Sequence, residues 1–338
     1  MNTQTRQDID PERLRGARET LCSLFNISTL REHQEKAGRN IIQGLNTMYD
    51  VPTGGGKTLA FWYPLFYYWK PGDTDFASQK VILVISPLNA LMETQAKELS
   101  DRGIPAIAVN SLSHADELFE VHGSTESEFR LKYRVIITSP ETALTSSFQE
   151  RLLQTKVFKK GCISIVIDEG HCIAEWGGDF RPHYDAVGKL LARCPSHVPV
   201  LVASATMPED VQSLIREKLD LPTNCAHIAV SNEKLNVALS VRIIQHPVQT
   251  FADLLFLFPP LDQVDDHFEF PQTIIYVNRR KEAEGIQDFL RAHLPSSVSP
   301  DVFEFYHRTI DEGRKRHIQE RLRTGYLRCV IATDALGM

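Results

Sequence analysis

Residues 53–58 read Thr53-Gly54-Gly55-Gly56-Lys57-Thr58, a glycine-rich turn that ends in a lysine and a hydroxyl residue. Three glycines let the backbone wrap a phosphate with its N–H groups, because no Cβ blocks the approach. In this pattern the lysine reaches the terminal phosphates of a nucleotide, and the threonine hydroxyl ligates Mg²⁺. A helix that begins here adds the positive end of its dipole. The stretch predicts a nucleotide site formed by all six residues, with Thr58 on the metal.

Short apolar runs separated by helical stretches follow this turn along the chain. The runs expected to be strands are 81–85, 135–137, 163–167, 198–203 and 226–230. Apolar runs without alternation are typical of a parallel sheet covered on both faces. Strands that alternate with helices predict a doubly wound α/β architecture. The aromatic residues at 61–68 are expected to pack in a helix of this core, because burial alone explains them.

A second series of the same kind begins near residue 273. Its expected strands are 273–277, 302–306 and 328–333, and its expected helices are 279–293 and 311–323. The predicted fold class is α/β with two parallel-sheet lobes, the second incomplete, because the chain stops where the last strand ends. That last strand is expected to lack neighbours and to leave an open edge. Residues 238–245 read as a further strand or as part of a connection.

A length of 338 residues fits two domains rather than one. The expected divisions are an N-terminal helical segment at 1–37, a first lobe at 38–231, a connection at 232–270 and a second lobe at 271–338. The formal net charge of −6 argues against a protein that coats nucleic acid by bulk charge, but a narrow binding groove stays compatible with it.

The cysteines and apolar runs argue against several other classes. None of the 6 cysteines has the CxxC spacing of a zinc site, and they are too sparse for a secreted disulfide framework. The longest apolar run, 59–69, is well short of the roughly 20 residues that span a bilayer. No signal peptide is visible. We expect a soluble intracellular protein without a membrane partner, nuclear or cytoplasmic, and nuclear if the source is eukaryotic.

Two carboxylates follow one of the buried runs directly. Asp168 and Glu169 stand at the expected carboxyl end of the strand at 163–167, the edge where ligands bind in open α/β sheets. Asp168 is expected to hold Mg²⁺, and Glu169 to orient and deprotonate the attacking water. An isolated Asp-Glu pair is more often a solvated turn. The glycine-rich turn upstream in the same predicted sheet favours the catalytic interpretation.

The residues around this pair resemble a known family. Asp168-Glu169-Gly170-His171 is similar to the Asp-Glu-x-His box of superfamily 2 helicases, and residues 172–184 resemble the aromatic-rich loop of RecQ DNA helicases. Further segments, in the family's order, resemble RecQ motifs at 30–34, 86–92, 138–141, 204–206, 274–278, 306–307 and 332–338. The resemblance runs from about residue 21 to the last residue. It implies two RecA-like lobes of a P-loop NTPase, the second partial.

The resemblance also implies roles for particular residues. Glu169 and Lys57 are expected to be catalytic, Arg31 and Gln34 to bind the nucleotide, and Asp168 with Thr58 to hold Mg²⁺. Residues expected to contact DNA or to couple hydrolysis to movement are Ser86, Pro87, His171, Trp176, Phe180, Arg181, Ser204 and Thr206. The implied activity is ATP-driven 3′–5′ movement on single-stranded DNA with unwinding of duplex DNA, in DNA repair and recombination, with ATP and Mg²⁺ as cofactors.

The sequence departs from the family pattern at several places. Val51 replaces the leading glycine of the phosphate loop, Gly170 replaces an alanine that does no chemistry, and Glu175 and Gly178 replace usual residues of the aromatic loop. The arginine-rich final motif is not in the sequence, so we expect ATP binding with very slow hydrolysis and no unwinding. Two alternatives stay open: a catalytically weak nucleotide- or DNA-binding fragment, and a superfamily 2 RNA helicase, which the aromatic loop disfavours.

Overall fold

The computed structural model describes residues 8–73, 75, 79–87, 89–110, 118–121, 129–175, 187–258, 270–295, 298–333, 335 and 336. The chain divides into two compact units, Met1–Lys234 and Leu235–Met338. Among the described helices, none combines the length and apolar character of a transmembrane span.

The first unit is built on a parallel sheet. Its strands are β1 Thr47–Asp50, β2 Val81–Ile85, β3 Ala106–Val109, β4 Phe119–Val121, β5 Phe129–Leu131, β6 Val135–Thr138, β7 Cys162–Ile167, β8 Val200–Ser204 and β9 Ala226–Ala229. Seven of them form one sheet in the order β3-β6-β2-β7-β8-β1-β9, and every pairing in it is parallel. β4 and β5 form a separate antiparallel pair.

Helices cover this sheet. They are α1 Pro11–Phe25, α2 Glu32–Ile42, α3 Lys57–Tyr68, α4 Asn89–Asp101, α5 Pro140–Ala143, α6 Ser146–Phe148, α7 Lys156–Gly161, α8 Cys172–Glu175, α9 Val187–Leu191 and α10 Glu209–Lys218, with a π-helical segment at Gln149–Leu153. Ile82 and Val84 of β2 belong to the apolar cluster that includes α1, α2 and α3. Val81, Leu83 and Ile85 belong to the cluster on the opposite face. The predicted sheet, covered on both faces, is confirmed.

The aromatic helix α3 lies inside this core. Phe61, Trp62, Tyr63 and Phe66 are all buried. α2 packs closely against it at Gly38, where a Cβ would lie 2.3 Å from Cδ1 of Tyr63. The expectation that this stretch packs in the core is confirmed.

The second unit repeats the pattern on a smaller scale. Its elements are β10 Thr273–Tyr276, α11 Arg280–Ala292, β11 Phe303–Tyr306, α12 Glu312–Arg323 and β12 Cys329–Ala332, and its 3-stranded sheet is parallel in the order β10-β12-β11. The expected strand and helix series is confirmed. The expectation that the last strand lacks neighbours is wrong, because β12 pairs on both sides. In a doubly wound sheet the order in space differs from the order along the chain.

Apolar side chains are exposed in the second unit. The structure forms no strand at 238–245; the chain there carries exposed apolar residues, with Leu239 92% and Val241 96% exposed. Ile274 and Tyr276 of the edge strand β10 are exposed as well. Within the described residues, every large hydrophobic side chain that is exposed belongs to this unit.

Candidate nucleotide-binding site

The glycine-rich turn connects the end of β1 to the start of α3. Gly54 and Gly56 have φ angles of 77° and 78°, in the left-handed region that side chains disfavour. Gly55 is restricted by space instead, since a Cβ would lie 2.4 Å from Cγ1 of Val51 and 2.8 Å from the carbonyl oxygen of Pro52. Val51, which departs from the usual glycine, is buried and packs against Gly55. The turn has the tight form that the sequence predicts.

Two residues at the start of α2 hold the carbonyl groups of this turn. The Arg31 guanidinium donates to the carbonyl oxygens of Gly55 at 2.9 Å and Gly54 at 3.4 Å. The Gln34 amide donates to the carbonyl oxygen of Gly56 at 2.8 Å and accepts from the Arg31 N–H at 2.7 Å. Because C=O and N–H point to opposite sides of a planar trans peptide, the N–H groups of Gly56 and Lys57 are turned away from these side chains.

Lys57 reaches back across the turn. Its Nζ donates to the Val51 carbonyl oxygen at 3.0 Å. An ammonium group has three N–H donors, and this is its one hydrogen bond to the part of the chain that the structure describes. The remaining donors suit a phosphate.

Asp168 and Glu169 lie at the same edge of the sheet. Asp168 directly follows β7, and β8 alone separates β7 from β1. Asp168 is 5% exposed, and its Oδ1 accepts from the Glu169 N–H at 3.0 Å. Burial and the adjacent Glu169 raise the pKa of Asp168 to about 6, while the nearby Lys57 lowers it. The glycine turn and the carboxylate pair therefore belong to one site.

Asp50, the last residue of β1, is a third carboxylate that the sequence analysis did not single out. Its Oδ1 is buried with no hydrogen-bond partner among the described residues. Burial raises the pKa of Asp50, and His227 and Lys57 lower it. Its signal was available: an acidic residue that ends a buried strand just before the glycine turn.

These oxygen groups fit a magnesium ion that a nucleotide shares. Mg²⁺ is commonly bound by one or two carboxylates together with substrate phosphates and water. The described residues contain no group of three or more ligating side chains that would hold a metal by itself. Among the described residues, Asp50, Asp168 and Glu169 outnumber the two cations at the turn, Lys57 and Arg31, so a divalent cation would balance their charge.

A chain of polar contacts leads away from the carboxylates. The His171 Nδ1 lies 3.3 Å from Oε2 of Glu169 and 2.9 Å from Oγ of Ser204. The buried Ser204 hydroxyl donates to the Thr206 carbonyl oxygen at 2.9 Å. Because its single proton is used there, Nδ1 of His171 acts as the donor towards Ser204. Glu169 has a φ of 50°, in the left-handed region where a non-glycine residue is strained.

Gly170 packs so closely against β8 that there is no room for a side chain. Its N–H donates to the Ala203 carbonyl oxygen at 2.8 Å, and a Cβ would lie 2.4 Å from Cγ1 of Val202. A Cβ at this position would therefore require the Val202 side chain to shift.

The other residues expected to contact DNA or to couple hydrolysis to movement differ in burial, and some lie outside the described residues. Trp176, Phe180 and Arg181 lie outside the described residues. Ser86 is completely buried with no partner for its hydroxyl among the described residues, and Pro87 is buried beside it. Burial gives no support to a direct DNA contact by Ser86. Thr206 is exposed.

A family comparison matches this arrangement. The DEAD/DEAH box helicase model matches residues 31–214, more than half of the protein. The match includes the glycine turn and the polar contacts from Glu169 to Thr206. The chain belongs to the DEAD/DEAH box helicase family. All of the matched residues lie in the first unit, Met1–Lys234.

Curated relatives of this DEAD/DEAH helicase include RecQ-type proteins. It is 29% identical to the probable ATP-dependent DNA helicase RecS of Bacillus subtilis, over 95% of this chain and 58% of that protein. It is 28% identical to the ATP-dependent DNA helicase RecQ of Haemophilus influenzae, over 94% of this chain and 46% of that protein. The chain thus spans about half the length of these relatives.

Solved structures share the fold. The DUF1998 helicase MrfA bound to DNA and AMPPNP matches with a TM-score of 0.64 at 18% identity, over 99% of this chain and 46% of that one. S. cerevisiae Dbp5 bound to RNA and ADP BeF3 matches with a TM-score of 0.56 at 16% identity, over 97% and 75%. Both are RecA-like helicase structures, so the predicted fold class is confirmed.

Proposed function

We propose that this chain is the motor core of a RecQ-type DNA helicase, which uses ATP to move 3′ to 5′ along single-stranded DNA and to separate duplex DNA. The observation that carries the proposal is the meeting of the glycine turn, Lys57 and the Asp168–Glu169 pair at one edge of the first sheet. The similarity to RecS and RecQ supports DNA as the substrate.

Each group at this edge has a distinct task in ATP hydrolysis. The N–H groups of Gly56 and Lys57, with the Lys57 ammonium, bind the phosphates. Thr58 and Asp168 hold Mg²⁺, which when bound offsets the negative charge of the phosphates. Glu169 orients a water molecule and accepts its proton. Arg31 and Gln34 hold the turn by hydrogen bonds to its carbonyl groups and lie at the proposed nucleotide site.

The polar chain through His171 supports coupling between hydrolysis and movement. It joins Glu169, which changes its charge during proton transfer, to Thr206 at the surface beyond β8. A two-state rearrangement of His171 and Ser204 would let that change alter the position of residues 204–206.

Cations at the start of α11 support binding of the DNA backbone by the second unit. Arg279, Arg280 and Lys281 are exposed, and no side chain caps this helix end. Cations at a helix N-terminus are unfavourable, because the dipole is positive there. Glu282 offsets only Arg279, at 4.0 Å. The phosphates of DNA would neutralise the excess charge.

The proposal is tested by the linkage between nucleotide and DNA. We expect poly(dT) to raise the rate of ATP turnover by this chain, with Mg²⁺ required and poly(rU) much less effective. Lys57→Ala should remove both the turnover and the stimulation, whereas Lys36→Ala, at an exposed surface position, serves as the matched control. The ratio of rates with and without DNA is informative even when both rates are low. Equal stimulation by RNA would favour the RNA helicase alternative.

The direction of movement needs a separate measurement. Duplexes with a 3′ or a 5′ single-stranded tail are offered to the protein, and strand separation is followed. Little or no strand separation is expected, in keeping with the very slow hydrolysis expected from the sequence, and any that occurs should be confined to the 3′-tailed duplex. A preference for the 5′ tail would refute the polarity and leave the ATPase assignment standing.

A further inference from the structure

A cavity of about 170 Å³ opens at the amino edge of the large sheet, opposite the glycine turn. It lies below the start of β7 and β8, beside the ends of α2 and α3. Lys80, Lys160 and His197 line it, together with Tyr68. The two edges are separated by the length of a strand, roughly 16 Å for five residues. The cavity is therefore distinct from the nucleotide site.

The three basic side chains have no compensating acid among the described residues. Within the part of the chain that the structure describes, Lys80, Lys160 and His197 form no ion pair, and no carboxylate lines the cavity. Lys80 is half-buried with its Nζ 5.9 Å from the centre of the Tyr68 ring, whereas Lys160 and His197 are exposed. Like charges around one small cavity repel each other unless an anion is present.

The sequence repeats this bias along the whole edge. No Asp or Glu stands among the three residues before any of the seven strands of the sheet. The basic residues at those positions are Lys80, Lys132, Arg134, Lys159, Lys160 and His197. The protein as a whole has a net charge of −6, so this edge carries local charge of the opposite sign.

Helix ends account for only part of this charge. α2, α3 and α7 all end at this edge, and the last turn of a helix favours cations. Lys160 stands in the last turn of α7. Lys80 and His197 belong to no helix, so the helix dipole does not explain why they line the same cavity.

We propose that this cavity is a second anion site, which binds a phosphate group through Lys80, Lys160 and His197. An empty apolar cavity of about 150 Å³ accommodates a benzene molecule, so 170 Å³ holds a phosphate group with bound water. The ligand chemistry is phosphate, supplied either by free inorganic phosphate or by the backbone of a nucleic acid. The site is separate from the proposed ATPase centre and does not depend on it.

The test uses the full chain carrying Lys57→Ala, so that the glycine turn contributes little binding. Inorganic phosphate is titrated by calorimetry and by the side-chain NMR signals of His197. We expect saturable binding that shifts the His197 signals. Lys80→Ala with Lys160→Ala should weaken binding by about tenfold or more, because the double change removes two charged hydrogen-bond donors to the phosphate.

The matched control is Lys156→Ala with Lys189→Ala, which removes the same charge from exposed positions outside the cavity. It should change phosphate affinity by less than about twofold. Equal weakening by both pairs, or unshifted His197 signals at saturating phosphate, would overturn the proposal. So would a cavity pair that lowers Tm without changing affinity, because the lysines would then only stabilise helix ends.

A second arm separates the two sources. A short oligo(dT), which contributes phosphodiesters, competes with inorganic phosphate for the His197 signals if the nucleic-acid backbone is the ligand. If it does not compete while inorganic phosphate binds, free phosphate is the ligand. Both results support a phosphate site, and loss of DNA-stimulated turnover in the Lys57→Ala chain has no bearing on either.

Discussion

The two edges of the large sheet carry opposite charge. No Lys or Arg stands among the three residues after any of its strands, whereas Asp50, Asp168 and Glu169 lie at the ends of β1 and β7. At the amino edge the signs are reversed. Helix N-termini favour acids at the first edge and helix C-termini favour bases at the second. The edges differ in burial: Asp168 is enclosed, whereas Lys160 and His197 are open to water.

The free-energy cost of placing charged residues near helix ends depends on whether those residues are buried. A buried carboxylate loses hydration and stays charged only with a partner, so the carboxyl edge needs a cation. Lys160 and His197 at the amino edge are exposed and keep their hydration, so they need an anion only where they converge with Lys80. One edge is thus suited to chemistry and the other to binding.

The largest expected effect is at Glu169. Glu169→Gln keeps the size of the side chain and removes its ability to accept a proton. Turnover of ATP should fall by about 10²–10⁴, with nucleotide affinity within about threefold. Single-turnover hydrolysis and fluorescent-nucleotide binding measure the two quantities, and Glu150→Gln, at an exposed position, is the control. Unchanged turnover would remove Glu169 from the catalytic role.

A second prediction concerns the stability of the metal-free protein. The pKa of Asp168 is about 6 when folded against 3.8 for the free group, so the folded state binds protons more tightly. Stability therefore falls as pH rises from about 4 to about 6 and stays low above it. Asp168→Asn should raise the free energy of unfolding at pH 7.5 by up to about 3 kcal/mol, with a much smaller gain at pH 4.

Urea unfolding in EDTA at the two pH values measures this difference. Asp8→Asn, at an exposed position, should show no such dependence on pH. An equal gain from Asp168→Asn at both pH values would mean that charging the buried carboxylate does not destabilise the fold. The proposed difference in burial between the two edges would then have no energetic consequence.

A smaller effect is expected at Ser204. Ser204→Ala removes the acceptor of the His171 hydrogen bond and leaves the glycine turn intact. A hydrogen bond contributes about 1 kcal/mol, so stimulation of turnover by DNA should fall about fivefold while nucleotide affinity is unchanged. Ser213→Ala, on the exposed face of α10, is the control. A loss of nucleotide affinity in Ser204→Ala would place this contact in binding instead of coupling.

The smallest effect is expected at the amino edge outside the cavity. Lys159→Ala removes one cation from the last turn of α7 and should lower the free energy of unfolding by about 0.3–1 kcal/mol, with turnover unchanged. Thermal unfolding at low and high salt checks it, because salt screens the contribution. A decrease that persists at high salt would show that packing, not charge, is involved.

Several features could be predicted from the sequence because they depend on local pattern. The runs 81–85 and 163–167 are apolar at nearly every position, so their strands were recognisable. β1 was not recognised, because Thr47 and Asp50 interrupt the apolar pattern. Thr47 is nevertheless completely buried and donates to the Leu45 carbonyl oxygen at 3.3 Å. A buried polar residue with a partner looks like a surface residue in the sequence.

Other features depend on contacts between distant residues. His171 and Ser204 were each expected to couple hydrolysis to movement, but only the adjacency of β7 and β8 shows that they touch. The central position of β12 was missed for the same reason, since its neighbours are set by how the helices cross the sheet. The packing of Gly170 against Val202 depends on β8 lying beside β7, and no local motif specifies which strands are neighbours.

Opposite charge on the two edges gives the first unit a permanent electric asymmetry along its strands. On an ion-exchange column at low salt and pH 7, a protein of net charge −6 is expected to be retained by a positively charged resin. This one should also be held weakly by a negatively charged resin through its amino edge, because local patches rather than the sum govern adsorption. The first unit should therefore orient itself electrostatically as it approaches a charged surface, with the oppositely charged edge of its sheet leading.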